Sequence, residues 1–378
     1  MSKPAPSLGV PSSSSTVSVR IIDSTTLINF SPSYFFETSI YGHDDLAAPA
    51  YVFLITNTAS DGSKRHILFD LGVRSDPENL APTLRENLKH VGAIINVEKG
   101  IAQILDEAPT AGKSTPSSKE IEAIVWSHHH FDHTGNPSTF PSSTTLVVGP
   151  GFKSKMLPGY PEDEKSSLTS SDWEGRELRE IDFPSPGLKI GGFKAFDYFG
   201  DGSFYLLDTP GHAVGHVCGF ARVSVSPDTF VFMGGDAAHH GAEFKPTEYH
   251  PLPDSLPLTG SFKYHSIPCP GEVLLQAIAD GRANANAKNL GSRTEPWYEP
   301  LAALCYDKPD TVATIRSLEE FDAQDSVFVI IAHDGSLKET LKWFPEEING
   351  WAKENLDKSS RWYFIRDFAK VVDDFGSA

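Results

Sequence analysis

Ser127-His128-His129-His130-Phe131-Asp132-His133 is the stretch on which the fold turns. Read as His-x-His-x-Asp-His, it crowds His128, His130, Asp132 and His133 into one loop. The run before it, Ile121-Glu122-Ala123-Ile124-Val125-Trp126, predicts a buried strand that ends where the loop begins. Imidazole and carboxylate ligands suit zinc and similar first-row cations. Histidines this close repel one another when protonated and gain little from packing, so a solvated His-rich turn is the weaker reading. Further ligands stand at the ends of other strand-like runs. Asp208-Thr209-Pro210-Gly211-His212 follows Ser203-Phe204-Tyr205-Leu206-Leu207. Val231-Phe232-Met233-Gly234-Gly235 runs into Asp236, and Val327-Phe328-Val329-Ile330-Ile331-Ala332 runs into His333. Loops carried by a rigid sheet commonly build sites in this way.

In that order the pieces His128-x-His130-x-Asp132-His133, Thr209-Pro210-Gly211-His212, Gly235-Asp236 and His333 resemble the signature of the metallo-β-lactamase superfamily. The resemblance implies an αββα sandwich, two mixed β-sheets flanked by helices. It also implies a binuclear centre with His128, His130 and His212 on one cation. Asp132, His133 and His333 would hold the other, with Asp236 bridging both. Ile67-Leu68-Phe69-Asp70-Leu71-Gly72 resembles the family's early Asp-x-Gly strand, which makes Asp70 a hydrogen-bond acceptor behind a ligand. Ser127 through Asn136 is most similar to the quorum-quenching-lactonase-like group and its fungal lactamase and lactonase relatives. Flavodiiron relatives carry Glu where this chain has His130 and add a flavodoxin domain, so hydrolysis is favoured over redox chemistry.

The chain has 378 residues and a formal net charge of -18. So acidic a protein is a poor fit to a nucleic-acid backbone, which needs Lys and Arg to displace counterions, and to an anionic membrane. The partner expected is a small-molecule substrate. Two divalent cations would still admit an anionic one, because they dominate the local field. The sparse cysteines Cys218, Cys269 and Cys305 suggest reduced thiols and a cytoplasmic location. The N-terminal residues lack the apolar region of a signal peptide, and no apolar run approaches the roughly 20 residues of a membrane span.

Residues 1–15 are Ser- and Pro-rich and read as disordered, leaving 16–378 as one hydrolase domain. Tyr51-Val52-Phe53-Leu54-Ile55-Thr56 and Ile67-Leu68-Phe69 read as a hairpin around Asp61-Gly62. Asp76-Pro77 opens a helix with an apolar stripe of Leu80, Leu84, Leu88 and Val91, and Asp310 caps another that leads to the His333 strand. The Pro-rich stretch at about 237–310, with Pro246, Pro251, Pro253, Pro257, Pro268 and Pro270, is expected to wall a substrate pocket. Tyr249, Phe262, Tyr264 and Trp297 are its candidate lining, and the competing reading has them pin the loop to the sandwich.

Two cations in such a centre, zinc by default with iron or manganese also compatible, lower the pKa of a shared water to near neutral and make it a nucleophile. They also polarise a carbonyl, so no serine or cysteine nucleophile is needed. Asp132 is the nearest carboxylate and is assigned the transfer of a proton to the leaving atom. His129 is expected to point away from the centre. His216 is expected to tie its loop to a carboxylate. His239 occupies the place where the lactone-hydrolysing branch often has a tyrosine that contacts the scissile carbonyl, so His239 or His240 is a candidate substrate contact. The reaction expected is opening of a small lactone, lactam or related cyclic ester or amide. An acyl-thioester hydrolase is the alternative, and a metal-binding scaffold without turnover competes from outside enzymology.

Overall fold

The computed structural model describes residues 2–108, 115–256, 269–280 and 291–376. Its first sheet is built from β1 (Val17–Phe30), β2 (Leu46–Thr58), β3 (Lys64–Phe69), β4 (Ile94–Asn96), β5 (Ile121–Val125), β6 (Thr145–Val148) and β7 (Leu178–Glu180). They lie in the order β4-β1-β2-β3-β5-β6-β7, antiparallel from β4 to β3 and parallel from β3 to β7. The second sheet contains β8 (Lys189–Ile190), β9 (Phe193–Asp197), β10 (Phe204–Asp208), β11 (Val217–Ser224) and β12 (Thr229–Met233). A short ribbon, β13 (Ser255–Leu256) with β14 (Cys269–Pro270), precedes the last strand, β15 (Val327–Ile330). That strand pairs parallel with β12, giving the order β15-β12-β11-β10-β9-β8.

Strand alternation explains the layers. Along β2, Phe53 and Ile55 face the second sheet and pack with Leu206, Val231, Met233 and Ile330. The intervening Val52 and Leu54 face outward with Ile124 and Trp126, onto Ile101 and Leu105 of the helix Ile101–Asp106. On the other side Phe220 and Phe232 meet Ile315, Leu318 and Phe321 of the helix Lys308–Asp322. Each such buried side chain contributes roughly 1.5–3 kcal/mol. The result is helix, sheet, sheet, helix, the αββα sandwich expected. Among the described residues no helix is long and apolar enough to cross a membrane.

Three local expectations are corrected. Residues 2–15 are not free of the sandwich: Leu8 is buried beside Ile190 and Phe321, and the Leu8 carbonyl accepts from Gly191 N–H at 2.7 Å. Arg222 Nη2 donates to the Pro11 carbonyl at 2.5 Å, so single apolar and backbone anchors hold a segment whose composition alone reads as loose. The cap of the helix Lys308–Asp322 is Asp307, whose side chain accepts from Asp310 N–H, and Asp310 sits inside the first turn. Asp76 leads only a 3-10 turn, Pro77–Asn79, because its carboxylate is taken by Arg74 and Asn79; the α-helix starts later, as Pro82–His90.

Candidate metal centre

The loops that follow β3, β5, β10, β12 and β15 meet at one edge of the two sheets. β5 ends beneath Ser127, and Asp70, just past β3, captures it. Asp70 Oδ1 accepts from Ser127 N–H at 2.6 Å and Oδ2 from Ser127 Oγ at 2.8 Å. Oδ2 also accepts from His133 Nδ1 at 2.8 Å, the acceptor role expected of it. The turn after Phe131–Thr134 closes at Gly135, with φ 50°, where a Cβ would lie 2.3 Å from Leu71 Cβ. Gly211 is likewise forced: at φ 125° a Cβ there would meet Thr311 N at 2.1 Å, so the loop bearing His212 can lie against the helix Lys308–Asp322.

Asp236 is the hub. Its Oδ2 faces His128 Nε2 at 3.5 Å and His212 Nε2 at 3.3 Å. Its Oδ1 faces His133 Nε2 and His333 Nε2, each at 3.0 Å. His130 Nδ1 is 3.0 Å from His212 Nε2, and Asp132 Oδ2 is 3.4 Å from His333 Nε2. Two groups result, His128–His130–His212–Asp236 and Asp132–His133–His333, in each of which the donor atoms lie within 4.8 Å of one another. All seven side chains singled out from the sequence therefore converge.

The donor chemistry fits cations between them. Among the described residues, His128 Nε2, His133 Nε2, Asp236 Oδ1 and His239 Nε2 are buried with no hydrogen bond of good geometry. Such orphans are costly unless something fills the space they face. The far nitrogens are spoken for: His133 Nδ1 donates to Asp70, and His333 Nδ1 donates to the Pro49 carbonyl at 2.6 Å. That leaves each Nε2 aimed inward at Asp236, the orientation metal-binding imidazoles take. Burial holds His128 and His130 well below the ordinary imidazole value, so both are neutral, as ligation requires. Burial would also lower His133, but Asp236, Asp132 and Asp70 outweigh it and hold it well above. That carboxylate field is where positive charge is wanted.

Neighbouring residues depart from the sequence reading. Among the described residues His216 bonds to no carboxylate; its Nδ1 lies 2.8 Å from Thr209 Oγ1, and its Nε2 accepts from Asp236 N–H at 3.0 Å. It therefore aligns the hub residue through the backbone. His129 joins neither ligand group, as expected of a residue between ligands, yet it lies on the wall of the central cavity, its ring 5.0 Å from that of His130. Burial pushes its pKa down to about 4. His239 lines the same cavity, with Nε2 3.3 Å from Asp236 Oδ2. His240 is excluded from it, because the extended backbone at φ -153° turns its side chain to the opposite side. Its Nδ1 accepts from Ala242 N–H, so its Nε2 carries the proton and meets Asp367 Oδ2 at 3.1 Å. With both nitrogens engaged, His240 gives the nearby His43–His240–Asp367 group no free lone pair for a cation.

The cavity over the hub measures about 280 Å³. Phe30, Tyr34, Phe35, Leu84, Leu88, Val91, Phe131 and Leu304 form its apolar wall, and His129, His130, Asp132, Ser167, His212, Asp236 and His239 its polar part. Most of this wall comes from the end of β1 and the segment after it, and from the helix Pro82–His90 with its cap Val91, so Leu84, Leu88 and Val91 face the cavity rather than a core. That stripe was visible in the sequence; its destination was not. Of the expected lining, Tyr249 stands in another cleft beside Lys3, and Trp297 is buried against Phe364 and Phe368, pinning its loop. Phe262 and Tyr264 lie outside the described residues, as do Pro257 and Pro268. Cys218 is buried and Cys305 half-buried, both as free thiols.

Comparison with known proteins places this geometry. A profile of the Metallo-beta-lactamase superfamily matches residues 48–234. Metallo-hydrolase mfmC of Annulohypoxylon moriforme is 44% identical over 98% of this chain and 92% of its own length. Gamma-lactamase FDB1 of Fusarium pseudograminearum is 39% identical over 98% of this chain and 86% of its own. The chain also aligns, at 40% identity, with a cytochrome P450 monooxygenase of Penicillium brevicompactum, but spans only 39% of that longer protein. Among solved structures, an AiiA variant of B. thuringiensis with N-decanoyl-L-homoserine at its active site superposes with a TM-score of 0.55. It is 16% identical over 88% of this chain and 100% of its own, a likeness of fold.

Proposed function

The chain belongs to the metallo-β-lactamase superfamily and is a hydrolase of that kind, and from that premise we propose that it is a binuclear enzyme opening a small lactone, lactam or related cyclic ester or amide. The observation that carries the reading is the division of Asp236, one oxygen toward His128 and His212, the other toward His133 and His333. His128, His130 and His212 would hold one divalent cation and Asp132, His133 and His333 the second, with Asp236 shared. Zinc suits this ligand set best, and iron or manganese is compatible with it. Bound there, such cations supply a water acidified to near neutral pH and a Lewis acid for the carbonyl.

The chain's own residues do the rest. Asp132, on the cavity wall, takes the proton from the attacking water and returns it to the ring atom that leaves. His239 stands over the hub and contacts the carbonyl or the leaving atom of the ring. The apolar wall of Phe35, Leu84, Leu88 and Leu304 excludes water and binds the hydrocarbon part of the substrate. A ring ester or amide with an apolar substituent fits a cavity with one polar end, and a relative of comparable length is named a gamma-lactamase. Thioesters offer the same electrophile and form the second reading.

The test is a panel of lactones, lactams and acyl thioesters assayed with the zinc-loaded protein and with its His133→Ala and Asp236→Ala variants. Ring opening that both substitutions reduce by at least about 1,000-fold is expected. Cleavage of thioesters alone would overturn the substrate class, and wild-type activity in metal-loaded Asp236→Ala would remove the shared-carboxylate assignment.

A further inference from the structure

A second cavity, of about 190 Å³, shares no lining residue with the cavity over the hub. The helix Lys308–Asp322 presents to it the i, i+3, i+4, i+7 stripe Val312, Ile315, Arg316 and Glu319. Glu243, Tyr298 and Glu299 are on the same wall. Glu299 is exposed, whereas Glu243 is 2% exposed, so acidic groups stand both at the surface and in the depth. Glu243 Oε2 accepts from His239 N–H at 2.5 Å and from His240 N–H at 3.2 Å. Its Oε1 is left over: among the described residues it is buried with no hydrogen bond of good geometry. Glu319 is half-buried in neither a hydrogen bond nor an ion pair among the described residues, and Arg316 acts on it only across space. Burial pushes both carboxyls up to about 7.

Two acids in one wall, each with an oxygen that nothing satisfies, are unfavourable unless a positive group joins them. A bare metal ion is a poor match. Glu243, Glu299 and Glu319 are not among the groups of described side chains whose donor atoms come within 4.8 Å of one another. An organic cation spreads several N–H donors over a wider head, and a guanidinium gives up its hydration more readily than a compact ion. Tyr298, Val312 and Ile315 offer apolar surface to whatever carries that head. We propose that this cavity binds a small organic cation, a guanidinium or ammonium group on a short apolar stem, with its N–H groups on Glu243 and Glu319 and its stem against Val312 and Ile315. The site takes no part in the ring opening proposed above, and the inference does not rest on that reading.

Calorimetric titration of the zinc-loaded protein with n-butylguanidinium and n-butylammonium, beside n-butanol and magnesium chloride, tests this. At least one of the two organic cations should bind, one per chain, about tenfold or more tighter than butanol, and magnesium should not displace it. Glu319→Gln should weaken that binding about tenfold, and so should Glu243→Gln, whose amide oxygen still accepts from the His239 and His240 N–H groups. Val312→Trp, which fills the cavity, should abolish it. Asp236→Ala should bind the cation as wild type does, which keeps the outcome separate from the fate of the hydrolase reading. The proposal is overturned if neither cation binds by about 10 mM, or if butanol binds as tightly as they do. Binding that survives both glutamine substitutions, or that survives Val312→Trp and vanishes in Asp236→Ala, overturns it as well, and displacement by magnesium would make the cavity a metal site instead. If Glu243→Gln does not fold, Glu319→Gln and Val312→Trp decide the matter.

Discussion

Asp70 shows how much one residue organises. It adopts a left-handed backbone conformation, φ 64°, which a side chain other than glycine enters at a cost unless its own hydrogen bonds hold it there. Those bonds run to Ser127 N–H, Ser127 Oγ and His133 Nδ1. One carboxylate therefore fixes the end of β5 and aims His133 together. Asp70→Ala should weaken binding of the His133-side cation roughly 10–100-fold and leave the other nearly untouched. Metal titration followed by calorimetry checks this, and two undiminished binding steps would refute it. Asp172 carries a separate consequence. Burial pushes its carboxyl from 3.8 up to about 6, with Thr169 Oγ1 donating to Oδ2 at 3.0 Å and Oδ1 left without a partner. The folded value lies above the unfolded one, so between about pH 4 and pH 6 the folded chain holds a proton that the unfolded chain has lost. Stability contributed by this group thus declines as pH rises through that window. Asp172→Asn should stabilise by about 1–2 kcal/mol at pH 7.5 and by nothing near pH 4, measured by urea unfolding at both values. A gain equal at both pH values would show that ionisation is not the cause.

At the scale of elements, the strands that carry the converging histidines and aspartates were legible because their physics is local. β5, β10, β12 and β15 are short apolar runs that stop at a polar residue, and such a run has few alternatives to a buried strand. The hairpin of β2 and β3 announced itself through Asp61-Gly62 in the same way. Two of the misreadings, the N-terminal segment and the stripe of the helix Pro82–His90, share one cause, that the deciding partner is distant in sequence, whereas the helix caps turn on neighbours within three residues. Leu8 is anchored by Ile190 and Phe321, and no composition window contains all three. The stripe of Leu84 and Leu88 looked like any core-facing helix, yet what lies opposite is a cavity. His239 and His240 are adjacent and chemically identical. Only the extended backbone between them decides that one faces Asp236 and its neighbour Asp367. Asp76 and Asp310 were read as caps by residue type, whereas Arg74 and Asp307 took over the bonds that decide the role.

For the whole molecule, the centre is a joint between two sheets. Asp70, His128 and His133 come from the first, and His212, Asp236 and His333 from the second. The hydrophobic layer between the sheets, with Phe53, Phe69, Val231 and Ile330, does not depend on that joint. The donors at the joint are the opposite case: among the described residues, Asp236 Oδ1 and the Nε2 atoms of His128, His133 and His239 are buried with no hydrogen bond of good geometry. Cations that bind the folded chain alone should therefore stabilise it by mass action, about 2.7 kcal/mol for each site at a hundredfold excess over Kd. Dialysis against a strong chelator should lower the melting temperature by several degrees and abolish ring opening. The far-ultraviolet circular dichroism should stay unchanged, because the sandwich is held by apolar burial. Zinc added back should restore melting temperature and turnover together and saturate at two equivalents per chain, one for each group around Asp236. Saturation at one equivalent would mean that Asp132, His133 and His333 do not form a binding site of their own. A melting temperature indifferent to zinc would mean that the orphaned donors are satisfied by something other than a cation.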